Sequence, residues 1–141
     1  MLVVDDNVEV RRLLRTALEA AGFAVIESAS ATDALGRLVE SRPDALVMDL
    51  VPAETRGIDL LHSIRQRADL NELPIVFIGS HMSDTGRWQA LRAGADWFTS
   101  KPFSVTELQH KVAELISAGR PQRRAAPVEA KPARTSVARR V

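Results

Sequence analysis

The sequence predicts an α/β fold, a doubly wound parallel sheet of five strands with helices on both faces. Between residues 1 and 118, short apolar runs alternate five times with segments in which apolar residues recur at helical spacing. The runs are continuously apolar, which is typical of parallel strands that are buried on both faces. Strands that alternate with helices favour right-handed crossovers, and these build a doubly wound sheet.

Each predicted element follows from a local pattern. The apolar runs predict strands at residues 2–4, 23–26, 45–48, 74–78 and about 96–99. Apolar stripes predict helices that include residues 10–21, 34–39, 60–68, 88–95 and 105–116. Gly22 and Pro43 end the first and second of these helices, and Ser30 or Thr32 would cap the second.

Composition excludes several classes of protein. The length of 141 residues suits one domain with little left over, and 45% hydrophobic residues indicate a globular chain. The absence of cysteine excludes a disulfide framework, a thiolate zinc site and a cysteine nucleophile. No apolar run approaches the roughly 18 residues of a membrane span, and the start lacks the pattern of a secretory signal. We therefore expect a cytoplasmic protein.

Charge divides the chain into a domain and a tail. Residues 1–118 carry a net charge of −5, whereas residues 119–141 carry seven Lys/Arg against one Glu, a net charge of +6. We predict a domain at 1–118 and a disordered, basic Pro/Ala/Arg-rich tail or linker at 119–141, because the tail has too few large apolar residues to offset its ordering entropy. The tail lacks interleaved aromatic residues, so a linker is favoured over a nucleic-acid-binding segment.

Charged side chains follow the predicted strands at their carboxyl ends. Asp5 and Asp6 end the first strand, Asp49 ends the third, and Lys101 follows the fifth. Doubly wound sheets place their sites at this edge. In the strand order 2-1-3-4-5, the first and third strands are neighbours, so three carboxylates come close together. Carboxylates this close raise each other's pKa unless a cation neutralises them.

This set of side chains points to phosphoryl transfer. Carboxylate oxygens suit Mg²⁺, which also binds phosphate oxygens. Lys101 adds a positive charge that can hold a phosphoryl oxygen or pair with Asp49. A carboxylate, a divalent metal ion and a lysine are the components needed to transfer a phosphoryl group to an aspartate.

With these residues in order, the chain resembles the receiver domain of two-component response regulators of the chemotaxis-regulator type, over about residues 1–118. The matching motifs are Leu2-Val-Val-Asp-Asp6, Ala45-Leu-Val-Met-Asp49-Leu50, Gly57 with Asp59-Leu-Leu61, Pro74-Ile-Val-Phe-Ile78, Ala90-Leu-Arg-Ala-Gly-Ala-Asp96 and Lys101-Pro-Phe103. Each motif is weak alone, but their order and spacing are specific. The resemblance implies a flavodoxin-like fold with strand order 2-1-3-4-5.

The resemblance also implies a function. A sensor histidine kinase or a histidine phosphotransfer protein would donate a phosphoryl group, and a downstream protein or an output domain would respond. The domain would assist its own phosphorylation and dephosphorylation without being a turnover enzyme. Asp49 matches the phosphoacceptor, Asp6 a direct Mg²⁺ ligand, and Asp5 a ligand that acts largely through water. Val51 matches the position whose backbone carbonyl binds the metal.

The residues of the implied switch match in part. Lys101 matches the lysine that contacts the phosphoryl group, and Phe98 matches the aromatic residue that changes rotamer on activation. The family usually has Thr or Ser where this chain has Gly79. Ser80 could replace that hydroxyl only if the strand has already ended, because neighbouring side chains of a strand point to opposite faces. Loss of the hydroxyl would weaken switching by the roughly 1.5–3 kcal/mol of a charged hydrogen bond.

Two alternatives compete with a phosphoacceptor. Gly79 and the loop after Asp49, where Pro52 stands one residue before the usual proline position, suggest a phosphorylation-independent interaction module, or pseudo-receiver, on the same fold. Retention of the three aspartates and Lys101 argues against it. A hydrolase with an aspartate nucleophile would need a second acid two residues after Asp49, where the chain has Val51.

Histidine and tryptophan residues carry weaker signals. His81 lies beside the expected pocket as a possible neighbour of the phosphodonor, although an exposed loop imidazole is the favoured interpretation. His62 and His110 are predicted on helix surfaces, and Trp88 is predicted to pack in the core. Trp97 alternates with Phe98, and the sequence leaves open whether it is covered or partly exposed.

Overall fold

The computed structural model describes residues 1–49, 55–79 and 84–118, with the backbone alone at positions 49, 55, 56 and 84–86. In chain order the elements are β1 (Leu2–Asp5), α1 (Val8–Ala20), β2 (Ile26–Ser28), α2 (Ala31–Ser41), β3 (Leu46–Asp49), α3 (Thr55–Gln66), β4 (Ile75–Gly79), α4 (Asp84–Ala93), β5 (Trp97–Ser100) and α5 (Val105–Ala118). The strands form one parallel sheet in the order β2-β1-β3-β4-β5. The predicted fold class and strand order are confirmed.

The core has two layers, one on each face of the sheet. Leu2 and Val4 pack with apolar residues of α2, α3 and α4, whereas Val3 packs with those of α1 and α5. This division follows from the strand geometry, because successive side chains point to opposite faces. The helices therefore cover both faces, as the continuously apolar runs predicted. No helix in the described parts of the chain is long and apolar enough to cross a membrane.

The predicted helix ends agree with the capping geometry. Gly22 has a φ of 98°, and its N–H donates to Glu19 O at 3.0 Å while the next N–H, of Phe23, donates to Leu18 O at 3.1 Å. These bonds close the carboxyl end of α1 in the left-handed conformation that glycine favours. Of the two candidate caps for α2, the structure selects Ser30, whose Oγ accepts from Asp33 N at 3.1 Å.

The second strand lies later in the chain than predicted. The apolar run predicts a strand at 23–26, but β2 covers Ile26–Ser28 and its register pairs Leu2 with Ile26. The first residue of the run, Phe23, does not belong to the strand, because its N–H closes the carboxyl end of α1. The strand includes the polar residues Glu27 and Ser28 because β2 is at the edge of the sheet. Polar edge strands give a weak apolar signal, which explains the wrong boundary.

The prediction that Trp88 packs in the core is wrong. Its side chain is 42% exposed, and α4 instead buries the small residues Ala90 and Ala93. The prediction gave weight to the large apolar side chain of Trp88. The buried face of α4 is instead formed by alanines, because their small side chains let the helix approach the sheet closely. Trp97 is half-buried, with Lys111 Nζ 5.9 Å from its ring centroid. The separate prediction that both helix histidines, 62 and 110, are exposed is confirmed.

Arg65 ties together the amino ends of β4 and β5. Its guanidinium donates to Leu73 O at 2.6 Å, to Gly94 O at 2.7 and 3.0 Å, and to Asp96 Oδ2 at 3.0 Å. Asp96 Oδ2 also accepts from Ile75 N at 2.8 Å, and the Asp96 side chain is fully buried. Gly94 has a φ of 128°, and a Cβ there would lie 2.6 Å from Arg65 Cγ. We call these five residues the Arg65 network.

Candidate functional site

The carboxyl ends of four strands meet in one row. Asp5 and Asp49 are Cα partners on adjacent strands, and Asp49 is in turn the partner of Ile78 on β4. Adjacent strands are about 4.8 Å apart, so these backbone positions are close neighbours. On the far side, Gly79 pairs with Ser100, and Lys101 N donates to Gly79 O at 2.9 Å. We call this row, from Asp5 to Lys101, the carboxyl edge.

The two adjacent acids of the β1–α1 loop are in different environments. Asp5 is 1% exposed, and its Oδ1 accepts a hydrogen bond from Asn7 N at 2.7 Å. Asp6 is exposed. The Asp5 carboxylate is therefore buried, whereas Asp6 is exposed to solvent at the same end of β1. A molecule or ion in solution can reach Asp6 directly.

Asn7 organises this loop, although the sequence analysis did not identify it. Its Oδ1 accepts from Glu9 N at 2.8 Å and from Val10 N at 3.1 Å, which caps α1. Its own N–H fixes the Asp5 carboxylate. The signal was present in the sequence, because Asn just before an apolar stripe is typical of a helix N-cap. The cap and the orientation of the buried acid thus depend on one residue.

Phe98 lies inside the protein, next to a second aromatic residue. It is 6% exposed and stacks on Phe77, with ring centroids 6.1 Å apart and an interplanar angle of 18°. Arg87 Cζ lies 5.5 Å from the Phe98 ring centroid, within the range of a cation–π contact. The aromatic residue that the resemblance identifies as the switch is therefore packed inward in this structure.

Several predicted site residues lie outside the described part of the chain. They are Val51, Pro52, Ser80 and His81, together with the side chain of Asp49. Gly79 is buried and is the last residue of β4, so the strand continues up to the position before Ser80. Among the side chains that the structure describes, no group of three His, Cys, Asp or Glu residues could hold a metal ion. The Asp49 carboxylate is not among these side chains.

Comparison with known proteins decides the family. The family model "Response regulator receiver domain" matches residues 1–113 of this chain. The protein is a member of this family. Receiver domains of response regulators are signalling modules of two-component systems and not turnover enzymes. The resemblance inferred from the sequence motifs is confirmed, and the receiver covers nearly the whole described chain.

Individual relatives agree with this assignment. The chain is 35% identical over 120 residues to the phosphate regulon transcriptional regulatory protein PhoB of Rhizobium meliloti, covering 85% of this chain and 53% of PhoB. It is 33% identical over 112 residues to the KDP operon transcriptional regulatory protein KdpE of Escherichia coli, covering 79% of this chain and 48% of KdpE. The receiver thus spans about half the length of the curated relatives that it matches.

A solved structure shows the same fold with a metal ion. The receiver domain of the sensor histidine kinase PA1611 from Pseudomonas aeruginosa has a TM-score of 0.74 and 26% identity, and covers 82% of this chain and 95% of its own. That structure has a magnesium ion coordinated in its active-site cleft. In that relative, therefore, the receiver fold holds the ion that the sequence predicts here.

Proposed function

We propose that this receiver accepts a phosphoryl group on Asp49 from a phosphohistidine of a sensor histidine kinase or a histidine phosphotransfer protein. The observation that supports the proposal is the register of the carboxyl edge, which lines up the backbones of Asp5 and Asp49 and places Lys101 beyond Gly79. Membership of the receiver family makes this edge the expected place for the chemistry.

The proposed transfer moves one phosphoryl group between two partners. A carboxylate oxygen of Asp49 attacks the phosphorus, a new P–O bond forms, and the P–N bond to the histidine breaks. The electron pair of the broken bond stays on the imidazole nitrogen, and the product on this chain is an acyl phosphate. Lys101, half-buried after β5, would place its positive charge against a phosphoryl oxygen.

The residues of the carboxyl edge fit Mg²⁺. Asp5 is buried and lies beside a second acidic residue, Asp49, on the adjacent strand. The carboxylate oxygens of such acids are the donors that Mg²⁺ prefers. Asp5, Asp6, Asp49 and the backbone carbonyl of Val51 would hold the ion. When bound, Mg²⁺ would neutralise charge that develops on the transferring group.

We further propose that the acyl phosphate shifts a pre-existing equilibrium at the surface of α4, β5 and α5. Phe98 lies on β5 between the core and Arg87 on α4, so a change in its packing would alter this surface. Gly79 provides no hydroxyl to bind the phosphoryl group, and for that reason the switching is expected to be weak. The responder is a downstream protein or an output domain, since the match covers only about half the length of these relatives.

Intact-mass measurement tests the phosphoacceptor directly. Incubation with acetyl phosphate and Mg²⁺ should add the mass of one phosphoryl group, and chelation of the metal should prevent it. Asp49→Asn should abolish the addition. The matched control is Asp59→Asn, which removes an exposed acid on α3 and should leave the addition unchanged.

The alternative is a phosphorylation-independent interaction module, which the buried Gly79 at the end of β4 favours. Failure to gain mass with acetyl phosphate, and with several phosphorylated histidine kinases, would overturn the phosphoacceptor proposal. An unmodified protein that still binds a partner would then support the alternative.

A further inference from the structure

We propose that Arg11 is a positioning residue that holds Asp5 and Asp6 in the arrangement needed to bind Mg²⁺. This inference rests on the proposed function, because it concerns the same acids. Arg11 lies on the first turns of α1, outside the carboxyl edge, and it acts through the backbone of the β1–α1 loop. Neither the family motifs nor the strand ends of the sequence indicated it.

Arg11 contacts both strands that lie beneath α1. Its Nη1 donates to the backbone carbonyl of Asp5 at 2.7 Å, and its Nε donates to Glu27 Oε1 at 2.8 Å. The Arg11 side chain is 16% exposed. Asp5 is the last residue of β1, so the guanidinium binds the carbonyl at the point where the strand gives way to the loop. One side chain therefore links the start of the acidic loop to the neighbouring strand.

Glu27 fixes the orientation of Arg11. Its second oxygen, Oε2, accepts from Arg15 Nη1 at 2.8 Å. Arg11 and Arg15 are one helical turn apart, a spacing at which like charges repel. The carboxylate between them removes this repulsion and gives each guanidinium one oxygen. Arg15 also bonds Glu19, is 44% exposed, and makes no contact with Asp5 among the described hydrogen bonds. The two arginines share an anion, but only Arg11 is bonded to the acidic loop.

Asp5 is held from both sides by this arrangement. Arg11 binds its carbonyl oxygen, and the N–H of Asn7 binds its Oδ1. Asp6 lies between these two fixed points, so a shift of the Asp5 peptide moves both acids. Groups that orient metal ligands from outside the ligand shell commonly change metal affinity by about 10–100-fold when they are removed. The geometry therefore makes Mg²⁺ affinity sensitive to Arg11.

Two matched variants test the inference. Arg11→Gln and Arg15→Gln each remove one positive charge and one bond to Glu27, but only Arg11→Gln releases the Asp5 carbonyl. Calorimetric Mg²⁺ titration should show affinity about tenfold weaker for Arg11→Gln. It should show unchanged affinity for Arg15→Gln. In the metal-free protein, NMR should show faster hydrogen exchange at the Asn7 amide in Arg11→Gln only.

A third variant covers the case in which Arg11→Gln does not fold. Glu27→Ala keeps Arg11 and the acids but removes the carboxylate that orients the guanidinium. We expect weaker Mg²⁺ binding than in Arg15→Gln, together with faster exchange at Asn7. Thermal unfolding followed by circular dichroism verifies that each variant is folded under the titration conditions.

The outcomes separate this inference from the function on which it rests. Wild-type affinity and wild-type Asn7 exchange in Arg11→Gln would overturn the positioning role, while Mg²⁺ binding by the wild type would keep the phosphoacceptor proposal intact. Equal losses in Arg11→Gln and Arg15→Gln would also overturn it, because charge alone would then explain the result. If the wild type binds no Mg²⁺ and gains no phosphoryl mass, the proposed function fails and this inference fails with it.

Discussion

Charged residues lie at both ends of this sheet, in different environments. In the Arg65 network, the buried Asp96 carboxylate accepts from Arg65 and from the N–H of Ile75, and Arg65 binds the carbonyls of Leu73 and Gly94. At the carboxyl edge, Asp6 is exposed. The comparison shows that charge alone does not identify a functional site. Charges that bind the backbone from inside the protein stabilise the fold, whereas an exposed charge such as that of Asp6 is accessible to ligands.

The largest effect on stability is expected in the Arg65 network. Arg65→Ala would leave Asp96 buried without its ion-pair partner, and breaking a buried pair in this way typically costs about 3–5 kcal/mol. Urea unfolding measures this loss. Arg67→Ala is the control, because Arg67 pairs with Asp69 at the surface and such pairs contribute below about 1 kcal/mol. Equal losses in the two variants would contradict the structural role of Arg65.

A smaller loss is expected at Gly94. Gly94→Ala would place a Cβ 2.6 Å from Arg65 Cγ at a φ of 128°. Holding a residue with a side chain in such a conformation costs about 1–3 kcal/mol, apart from any displacement of Arg65. Gly36→Ala is the matched control, since nothing lies within 4 Å of a Cβ there. Replacing this glycine of α2 with alanine should stabilise the protein by about 0.5–1 kcal/mol. Changes in unfolding free energy, relative to wild type, that have the same sign in both variants would contradict this contrast.

Near the carboxyl edge, the contribution of Glu27 to stability should depend on pH. Hydrogen bonds from Arg15 and then Arg11 lower the pKa of Glu27 below its ordinary value of 4.5. A carboxyl group with a pKa lowered by folding stabilises the protein above its unfolded pKa, and this stability is lost as pH falls through the folded pKa. The stability difference between wild type and Arg15→Gln should therefore shrink below pH 4.5.

Urea unfolding at a series of pH values measures this dependence. Arg12→Gln removes an exposed charge from the same helix and should show a difference that does not change over this range. A stability difference for Arg15→Gln that persists unchanged in acid would show that Glu27 does not couple to Arg15.

An effect on switching is expected from Gly79→Thr, which adds the missing hydroxyl at the carboxyl edge. A phosphoryl-mimicking beryllium fluoride with Mg²⁺ should shift the NMR signals of Phe98 and α4 further in Gly79→Thr than in wild type. A hydrogen bond to a charged group is worth roughly 1.5–3 kcal/mol, enough to change the populations of two states. Equal and complete shifts in both proteins would show that Gly79 does not weaken switching.

Much of the fold could be predicted because the buried strands are continuously apolar. Leu46 to Met48 and Ile75 to Ile78 carry a pattern that is typical of strands covered on both faces. The edge strand β2 was misplaced because it includes Glu27, whose partners are arginines of α1. Trp88 was misassigned because large apolar residues dominate a helical pattern even where small ones pack.

The candidate site was predictable only where strand ends mark it. Asp5 and Asp49 end β1 and β3, and Lys101 follows β5, so topology alone places them at one edge. Arg11 could not be found in this way, because its acceptors are a backbone carbonyl and a carboxylate 16 residues away. Contacts of this kind depend on how α1 lies over the sheet, and the sequence pattern does not specify side-chain reach.

The bonds between Arg65 and Gly94 also restrict how α4 can move. Gly94 directly follows the last residue of α4, and its carbonyl is bound twice by the guanidinium. The carboxyl end of α4 is therefore anchored to the amino ends of β4 and β5. A displacement of α4 should be a rotation about this anchored end and not a translation along the helix axis. Amplitudes should then grow toward Asp84, the end of the helix closest in sequence to Gly79.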